Sequence, residues 1–186
     1  MKFVKRAEIE NFINGLASSF SAPGKIFFIG ETSQVMEGWR TWTDKLEFFA
    51  EVSVADIPVF DETINKLREN LQIEIIEESP ADIIPLPEGA ERRSRKIEIH
   101  QNGSSLYFYH FDPYSCAFRY IARGDEQDYK IVLAYVKHEW ITISEMDKIL
   151  EELLKSFSFK TIQQDPAEFR RKYKGLLQMW QAGVSV

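Results

Sequence analysis

Cysteine and histidine are scarce in this sequence, and their scarcity excludes two common kinds of site. The single cysteine, Cys116, cannot form a disulfide within one chain, and with only three histidines it forms no cluster at zinc spacing. The apolar neighbours of Cys116 repeat as they do in a helix, which predicts a buried structural thiol. A nucleophilic role would need a histidine beside it in space.

Long apolar runs are also lacking. No run reaches the roughly 20 residues that a membrane-spanning helix needs. The N-terminal residues MKFVKRAEIE lack the continuous apolar region and small-residue cleavage site of a signal peptide. We therefore expect a cytoplasmic protein without a membrane partner.

Positive charge is in deficit. The chain has 23 lysines and arginines against 29 acidic residues, a net charge of −6, which disfavours broad binding to nucleic acid. We therefore expect no nucleic-acid partner. Two basic runs, residues 92–96 and 170–174, are interpreted as solvated turn or helix faces. The alternative is an RNA-binding module built on residues 92–96, which would bind with strong salt dependence.

The rest of the composition, 44% hydrophobic and 28% charged, is that of a globular chain long enough for one good core. Apolar patterns and turn residues predict a helix over 5–20, strands over 25–30 and 43–54, a helix over 56–71, a strand over 72–79 and a hairpin over 96–111 that turns at Asn102-Gly103. Four helices follow, with predicted starts at Asp112-Pro113, at Asp125, at a Ser144–Asp147 capping pair and at Asp165-Pro166.

These segments predict an α/β fold of the α+β kind, in which a mixed sheet is flanked by helices and followed by a helical half. We expect a core domain over residues 1–111 and a C-terminal helical region over 112–186. The helical region packs on that core, and the alternative is a single compact domain.

The stretch that says most about function is residues 25–49, KIFFIGETSQVMEGWRTWTDKLEFF. It predicts a buried strand, a turn at Gly30 that opens a short helix, and a second strand. A helix that starts after a glycine turn offers backbone N–H groups to a phosphate, and Thr32 or Ser33 adds a hydroxyl. Carboxylates two apart on a strand share one face and hold divalent cations beside a triphosphate. Nucleotidyl transfer needs this arrangement.

This stretch resembles the nucleotidyltransferase-fold proteins of a small bacterial branch, related to minimal nucleotidyltransferases and to the nucleotidyltransferase-like partners of toxin–antitoxin pairs. Such proteins usually read G-G-[ST] at the turn and R-x-[ST]-x-D-[IL]-D on the second strand. The resemblance continues in residues 79–93 and 110–128, and covers most of residues 22–140. It implies a nucleotide cleft lined by Gly30, Glu31, Thr32, Ser33, Arg123 and Asp128, and remnant catalytic acids at Asp44 and Glu47, of which Glu47 would bind the metal.

Two departures from the family pattern are expected to prevent this site from binding a phosphate and a metal ion. Glu31 stands where the second glycine is usual, and Lys45 stands where the first metal-binding aspartate is usual. A carboxylate in the cradle repels a phosphate, and an ammonium repels a metal ion. Asp44 and Glu47 are three apart, so on a regular strand they point to opposite faces. We therefore predict that Lys45 pairs with Glu31 or Glu47 and holds the site shut.

The expected function is therefore that of a catalytically degenerate nucleotidyltransferase-like protein, a binding or regulatory module. The resemblance implies a protein partner or a homodimer, in a toxin–antitoxin type of system. We expect neither a cofactor nor nucleotide binding. The alternative is an active nucleotidyltransferase that uses Mg²⁺ and an NTP to modify a protein, RNA or small-molecule hydroxyl, with Glu74 or Glu77 as a third acid.

Several other residues have two interpretations. Arg123 and Asp128 either meet a phosphate or are helix-end residues that helix dipoles favour. The aromatic residues beside the site, Trp39, Trp42, Phe48 and Phe49, either fill the core or stack on a base. Trp140 and Trp180 are candidate anchors for a partner. His100 and His110, on strands predicted to be half-exposed, are expected to be structural rather than catalytic.

Overall fold

The computed structural model describes residues 2–99, 104–157 and 164–183. Within these ranges the chain forms a five-stranded mixed sheet and eight α-helices, which confirms the predicted α/β class. Two compact units are present, one formed by segments 1–78 and 95–110, the other by segments 79–94 and 111–186. In the described ranges no helix has both the length and the apolar character needed to cross a membrane.

The first unit contains the whole sheet and three helices. Its strands are β1 (Gly24–Phe28), β2 (Lys45–Val52), β3 (Glu74–Glu77), β4 (Arg95–Lys96) and β5 (Leu106–His110). Its helices are α1 (Arg6–Ser19), α2 (Gly30–Met36) and α3 (Ile57–Leu71), the last preceded by a 3₁₀ turn at Val54–Asp56. The predicted hairpin turn at Asn102-Gly103, and His100, lie outside the described residues.

The sheet has the strand order β3-β2-β1-β5-β4. Strand β1 is central, antiparallel to β2 and parallel to β5, which fits its uninterrupted apolar sequence. Strand β3 is parallel to β2, and β4 is antiparallel to β5. The second strand begins at Lys45 rather than at Thr43, because Thr43 instead forms an isolated antiparallel bridge with Val4.

One face of the sheet packs against α1 and α3 to form the core of this unit. Phe28 and Phe48 contact Phe12 of α1, and Phe48 also meets Phe60 of α3. The apolar stripe predicted for the first helix is buried. The helical pattern predicted over residues 56–71 takes Val59 as one of its apolar positions, and this is wrong: Val59 is 56% exposed. The residues that α3 buries are Phe60, Ile64 and Leu67.

Strand β3 forms one edge of the sheet. The N–H of Glu78 donates to the Phe48 carbonyl at 2.9 Å, so alternation turns the Ile75 carbonyl away from β2. This outward carbonyl accepts a hydrogen bond from Arg68 Nη2 at 2.9 Å. A side chain of α3 therefore occupies a hydrogen-bonding position of the edge.

The second unit is helical. Its helices are α4 (Ala90–Arg93), α5 (Pro113–Arg123), α6 (Glu126–Lys137), α7 (Ile143–Lys155) and α8 (Pro166–Gln181). The two Asp-Pro starts are confirmed. Asp112 accepts from the N–H groups of Tyr114 and Ser115, and Asp165 accepts from those of Ala167 and Glu168.

One prediction about the second unit is wrong in detail. Thr142, not Ser144, caps α7, because the Thr142 hydroxyl accepts from the Glu145 N–H at 3.3 Å and Ser144 already lies inside the helix. Tyr129 of α6 is half-buried. Its hydroxyl donates to the Lys172 carbonyl at 3.0 Å. Cys116 is buried in α5, as predicted.

Candidate functional site

The predicted phosphate-binding turn is present as a helix start, but its hydroxyls are used within the protein. Helix α2 begins at Gly30, whose φ of +56° favours glycine. The Thr32 hydroxyl accepts from the Glu47 N–H at 2.8 Å, and the Ser33 hydroxyl donates to the Phe28 carbonyl at 3.0 Å. Both side chains are buried. The two hydroxyls therefore tie α2 to the neighbouring strands.

Glu31 is held in place by two partners. Its Oε1 lies 2.6 Å from Arg40 Nη1, and its Oε2 accepts from the Thr43 hydroxyl at 2.7 Å. Arg40 also donates from Nε to the Trp42 carbonyl at 2.9 Å. A fixed carboxylate thus lies in the first turn of α2, where a phosphate would otherwise bind. The sequence predicted Lys45 as a possible partner of Glu31. It did not predict that Arg40 and Thr43 would be its partners.

The predicted ion pair of Lys45 is present, and its partner is Glu47. Lys45 Nζ lies 2.8 Å from Glu47 Oε1, and 3.9 Å from Glu78 Oε1. The two residues are two apart on β2, so they share a face of the sheet. Glu47 is 3% exposed, whereas the Lys45 side chain is 31% exposed. The ammonium therefore neutralises a carboxylate that has almost no contact with water.

Burial raises the pKa of Glu47, and the Lys45 ammonium opposes this rise. The nearby carboxylates Glu78 and Glu31 raise the pKa of Glu47 further. Glu47 thus has two acidic neighbours, and the cation paired with it is Lys45. The mutual repulsion of these carboxylates makes the charge of Lys45 important to this corner of the first unit.

The other predicted acids do not join this group. Asp44 is exposed, immediately before β2, while Glu47 is buried, so the two do not share a site. Glu78 supplies the third acid in place of Glu74 or Glu77. Burial raises the pKa of Glu77, and nearby Asp61 of α3 adds to the rise, which places Glu77 toward the helix-covered face. The register of β2 against β3 puts both Glu74 and Glu78 on the Glu47 face and Glu77 on the opposite one, and of the two it is Glu78 that approaches Lys45.

Arg123 and Asp128 belong to the second unit and pair with each other there. Arg123 Nε lies 3.1 Å from Asp128 Oδ2, and its guanidinium lies 5.5 Å from the Tyr120 ring centroid. Arg123 ends α5, and Asp128 lies in the first turn of α6, so both also satisfy helix dipoles. Burial raises the pKa of Asp128, and the Arg123 charge counteracts the rise. This geometry agrees with the helix-end interpretation.

His110 forms a second buried polar contact of the first unit. Its Nε2 lies 3.0 Å from Glu37 Oε1, just after the end of α2. His110 is 4% exposed, so the prediction of a half-exposed strand histidine is wrong: its side chain faces the core, like that of Phe108. Burial lowers the pKa of His110 to about 4, with a further contribution from Arg95. The imidazole is therefore neutral at pH 7.

The aromatic residues beside the site have different roles. Phe48 is core, as predicted, and Phe49 stacks on Phe27. Trp42 is not core: it is 38% exposed, and its ring centroid lies 4.3 Å from that of Phe3, which is 51% exposed, with the two rings tilted by 42°. In the second unit, Trp140 stacks on Tyr135, and Trp180 is 43% exposed.

The basic runs are largely used for internal contacts. Arg93 forms a two-pronged pair with Asp112, at 2.9 and 2.8 Å. Arg170 forms a similar pair with Glu151, and Lys172 donates to the Ala122 carbonyl near the end of α5. This agrees with their interpretation as structural surface residues.

The residues at this corner do not fit a magnesium–triphosphate complex. Magnesium needs one or two free carboxylates, and Glu47 is already paired with a cation. A phosphate needs free donors, and Glu31 lies among them. Across the described residues, no group of three or more His, Cys, Asp or Glu side chains is arranged to hold a metal ion. The corner is a closed polar network, here called the Lys45 network, made of Glu31, Thr32, Arg40, Thr43, Lys45, Glu47 and Glu78.

No protein-family model, curated protein or solved structure matches this chain. The function proposed next therefore depends on the geometry of the site and on the resemblance in sequence.

Proposed function

We propose that this protein is a nucleotidyltransferase-like module without transferase activity, which acts in the cytoplasm by binding a protein partner or a second copy, as in toxin–antitoxin systems. The observation that carries the proposal is the 2.8 Å ion pair between Lys45 and the buried Glu47. It supports a site in which the ammonium takes the position that a metal ion needs.

The physical argument concerns charge. Nucleotidyl transfer depends on metal ions that offset the charge of the phosphates, and their absence removes several kcal/mol of transition-state stabilisation. An incoming Mg²⁺ would have to displace Lys45 from Glu47, and an incoming triphosphate would have to displace Glu31 from Arg40 and Thr43. Each displacement leaves a desolvated charge without its partner, which opposes binding.

A second candidate function is an active, Mg²⁺-dependent nucleotidyltransferase. The observation in its favour is Glu78, whose Oε1 lies 3.9 Å from the same ammonium that Glu47 binds. If Lys45 swung away, two carboxylates would face one position, as a metal site requires. The burial of Thr32 and Ser33 and their internal hydrogen bonds oppose this candidate, because both hydroxyls are held inside the protein, away from a phosphate at the surface.

Titration calorimetry with the Mg²⁺ complexes of ATP, GTP, CTP and UTP separates the two candidates. The repaired variant Lys45→Asp/Glu31→Gly restores the family pattern, and Lys45→Met/Glu31→Gln removes the same charges without supplying an acid. We expect no heat of binding from the wild type or the second variant, and binding by the repaired one. Micromolar binding by the wild type would overturn the proposal, and a transfer assay with labelled nucleotide would then test the active enzyme.

A further inference from the structure

The edge of the sheet opposite β3 carries a charge pattern that is complementary to itself. The segment reads Arg95-Lys96-Ile97-Glu98-Ile99. Its first two residues pair with β5, and the Ile97 N–H donates to the Phe108 carbonyl at 2.8 Å. In an antiparallel pair, N–H and C=O groups alternate between the two sides of a strand. Because Ile97 faces β5, the backbone groups of Lys96 and Glu98 face outward.

These outward groups are open for pairing. Strand β4 is the last in the sheet order, and among the described residues the Glu98 backbone takes part in no backbone hydrogen bond. The Lys96 and Glu98 side chains are exposed, and neither forms an ion pair with another described residue. Lys96 lies 5.4 Å from the exposed Tyr107 ring on the same face of the sheet. An edge with free backbone groups is a template for another strand.

We propose that the segment of residues 95–99, which begins with β4, pairs with the same segment of a second copy of this chain, antiparallel and centred on Ile97. This register places Lys96 opposite Glu98 of the second copy, and Glu98 opposite its Lys96. Both are hydrogen-bonded positions, so the outward groups of each copy meet those of the other. Opposite charges directly across a strand pair stabilise it, whereas like charges destabilise it. The contact is isologous, so it closes as a two-fold dimer.

An apolar contact accompanies the charge pairs. Ile97 and Ile99 lie against the core beside a groove of about 290 Å³. Helices α1 and α2 line it with the apolar Ile13 and Met36 and with the polar Arg6, Glu10 and Asn14. Residues directly opposite each other in an antiparallel pair point to the same face, so Ile97 of the second copy enters this groove. The strand is short, and its contact falls below the ~1,000 Å² typical of stable interfaces. The dimer is therefore weak and depends on concentration.

This inference names the partner in the binding role proposed above, yet its test involves no nucleotide, so the failure of one is distinguishable from the failure of the other. Sedimentation velocity at protein concentrations from about 10 µM to about 1 mM, at low and high salt, measures the monomer–dimer equilibrium. The variants are Glu98→Lys, Lys96→Glu, and Glu98→Pro, which removes an outward donor that the monomer does not use. Circular dichroism confirms that each variant is folded.

We expect the wild type to dimerise, and each single variant to dimerise at least about tenfold more weakly. A mixture of Glu98→Lys and Lys96→Glu forms a heterodimer, because lysines of one variant then face glutamates of the other. The control Glu69→Lys makes the same charge change on exposed α3, and leaves dimerisation unchanged. A wild type that is monomeric throughout overturns the proposal, as does a dimer that all three variants leave intact.

Discussion

At the scale of single residues, the first unit is characterised by buried charges that have specific partners. Glu47 is the most informative, because it has almost no access to water and pairs with a lysine two residues away on the same strand. Such a pair contributes little net stability, but the removal of one partner leaves the other buried and uncompensated. The consequence can be measured by removing the lysine.

Replacement of Lys45 by methionine is expected to lower the free energy of unfolding by about 2 kcal/mol near pH 8. Solvent screening of the partly exposed lysine keeps the loss below the range for fully buried pairs. The pKa of Glu47 is already raised and rises further without the ammonium. A carboxyl with a raised folded-state pKa contributes stability at low pH and loses it as the pH rises. The difference in the free energy of unfolding between the variant and the wild type should therefore be smaller near pH 5 than near pH 8.

Urea unfolding of the wild type and of Lys45→Met at the two pH values measures this difference in free energy. The matched control is Lys66→Met, which removes the exposed Lys66–Glu62 pair and should leave the free energy of unfolding nearly unchanged, because solvent screens that pair. Equal losses at both pH values would show that Glu47 does not titrate as proposed.

His110 is expected to make the protein sensitive to acid. Its pKa is about 4 in the folded state, against about 6.5 when unfolded, so between these values the unfolded state binds more protons. The contribution of His110 to the free energy of unfolding is complete above about pH 6.5. It falls by up to about 3 kcal/mol as the pH drops to 4. Unfolding followed across this pH range should show the fall in the wild type, and a flatter profile in His110→Gln. An unchanged profile in the variant would assign the acid sensitivity to other groups.

At the scale of elements, two helices of the second unit begin with the same Asp-Pro dipeptide in different surroundings. Asp112 is fully buried, caps α5, accepts from the Ser115 hydroxyl at 2.6 Å and pairs with Arg93. Asp165 caps α8 with backbone contacts at a more exposed position. A comparison of Asp112 with Asp165 therefore shows how much burial and the additional partners increase the stability that a capping aspartate contributes.

Asp112→Ala is expected to destabilise the protein by about 3 kcal/mol, because it leaves two N–H groups, a hydroxyl and a guanidinium without their acceptor. Asp165→Ala should cost about 1 kcal/mol, the usual loss for an exposed cap. Thermal unfolding of both variants gives the comparison. Similar losses would mean that the Arg93 pair adds nothing to the cap.

Local signals predicted most of these elements. The Asp-Pro caps, the apolar stripe of α1 and the continuous apolar run of β1 each depend on residues close in the chain, and each is where the sequence placed it. The pairing of Lys45 with Glu47 was predictable for the same reason, because residues two apart on a strand share a face. The mistakes, such as Ser144 for Thr142, concern which of several capping residues is used.

The parts that were missed depend on contacts distant in sequence. Glu78 approaches Lys45 only because β3 lies beside β2 in one register, and no local pattern fixes that register. Arg40 reaches Glu31 across a turn, and His110 is buried because its strand lies next to β1. These distant contacts complete the Lys45 network. The sequence could therefore predict the ion pair of Lys45 with Glu47, but not the rest of the network.

At the scale of the whole molecule, the second unit is built from two separate segments of the chain. Residues 79–94 belong to it, although they precede β4 and β5 of the first unit. They supply Asp82, which pairs with the buried Arg119 at 3.0 and 3.1 Å, and Arg93, which pairs with Asp112. A division of the chain at residue 111 separates these partners.

A fragment of residues 112–186 is therefore expected to lose most of its helical circular dichroism, because the buried Arg119 and Asp112 lose their ion pairs with Asp82 and Arg93. A fragment of residues 79–186 keeps both pairs and should retain its helices. Far-UV circular dichroism and amide NMR spectra of the two fragments test this. A well-folded 112–186 fragment would show that residues 79–94 are dispensable.

Arg68 limits how the sheet can grow between molecules. If β4 joins two copies edge to edge, their sheets become one, with a β3 strand at each outer end. Continuous growth into a fibre would require that outer strand to accept a further chain. The Arg68 guanidinium already occupies the outward Ile75 carbonyl, so the ladder lacks an acceptor there. One arginine on α3 therefore favours termination of assembly at a pair rather than a polymer.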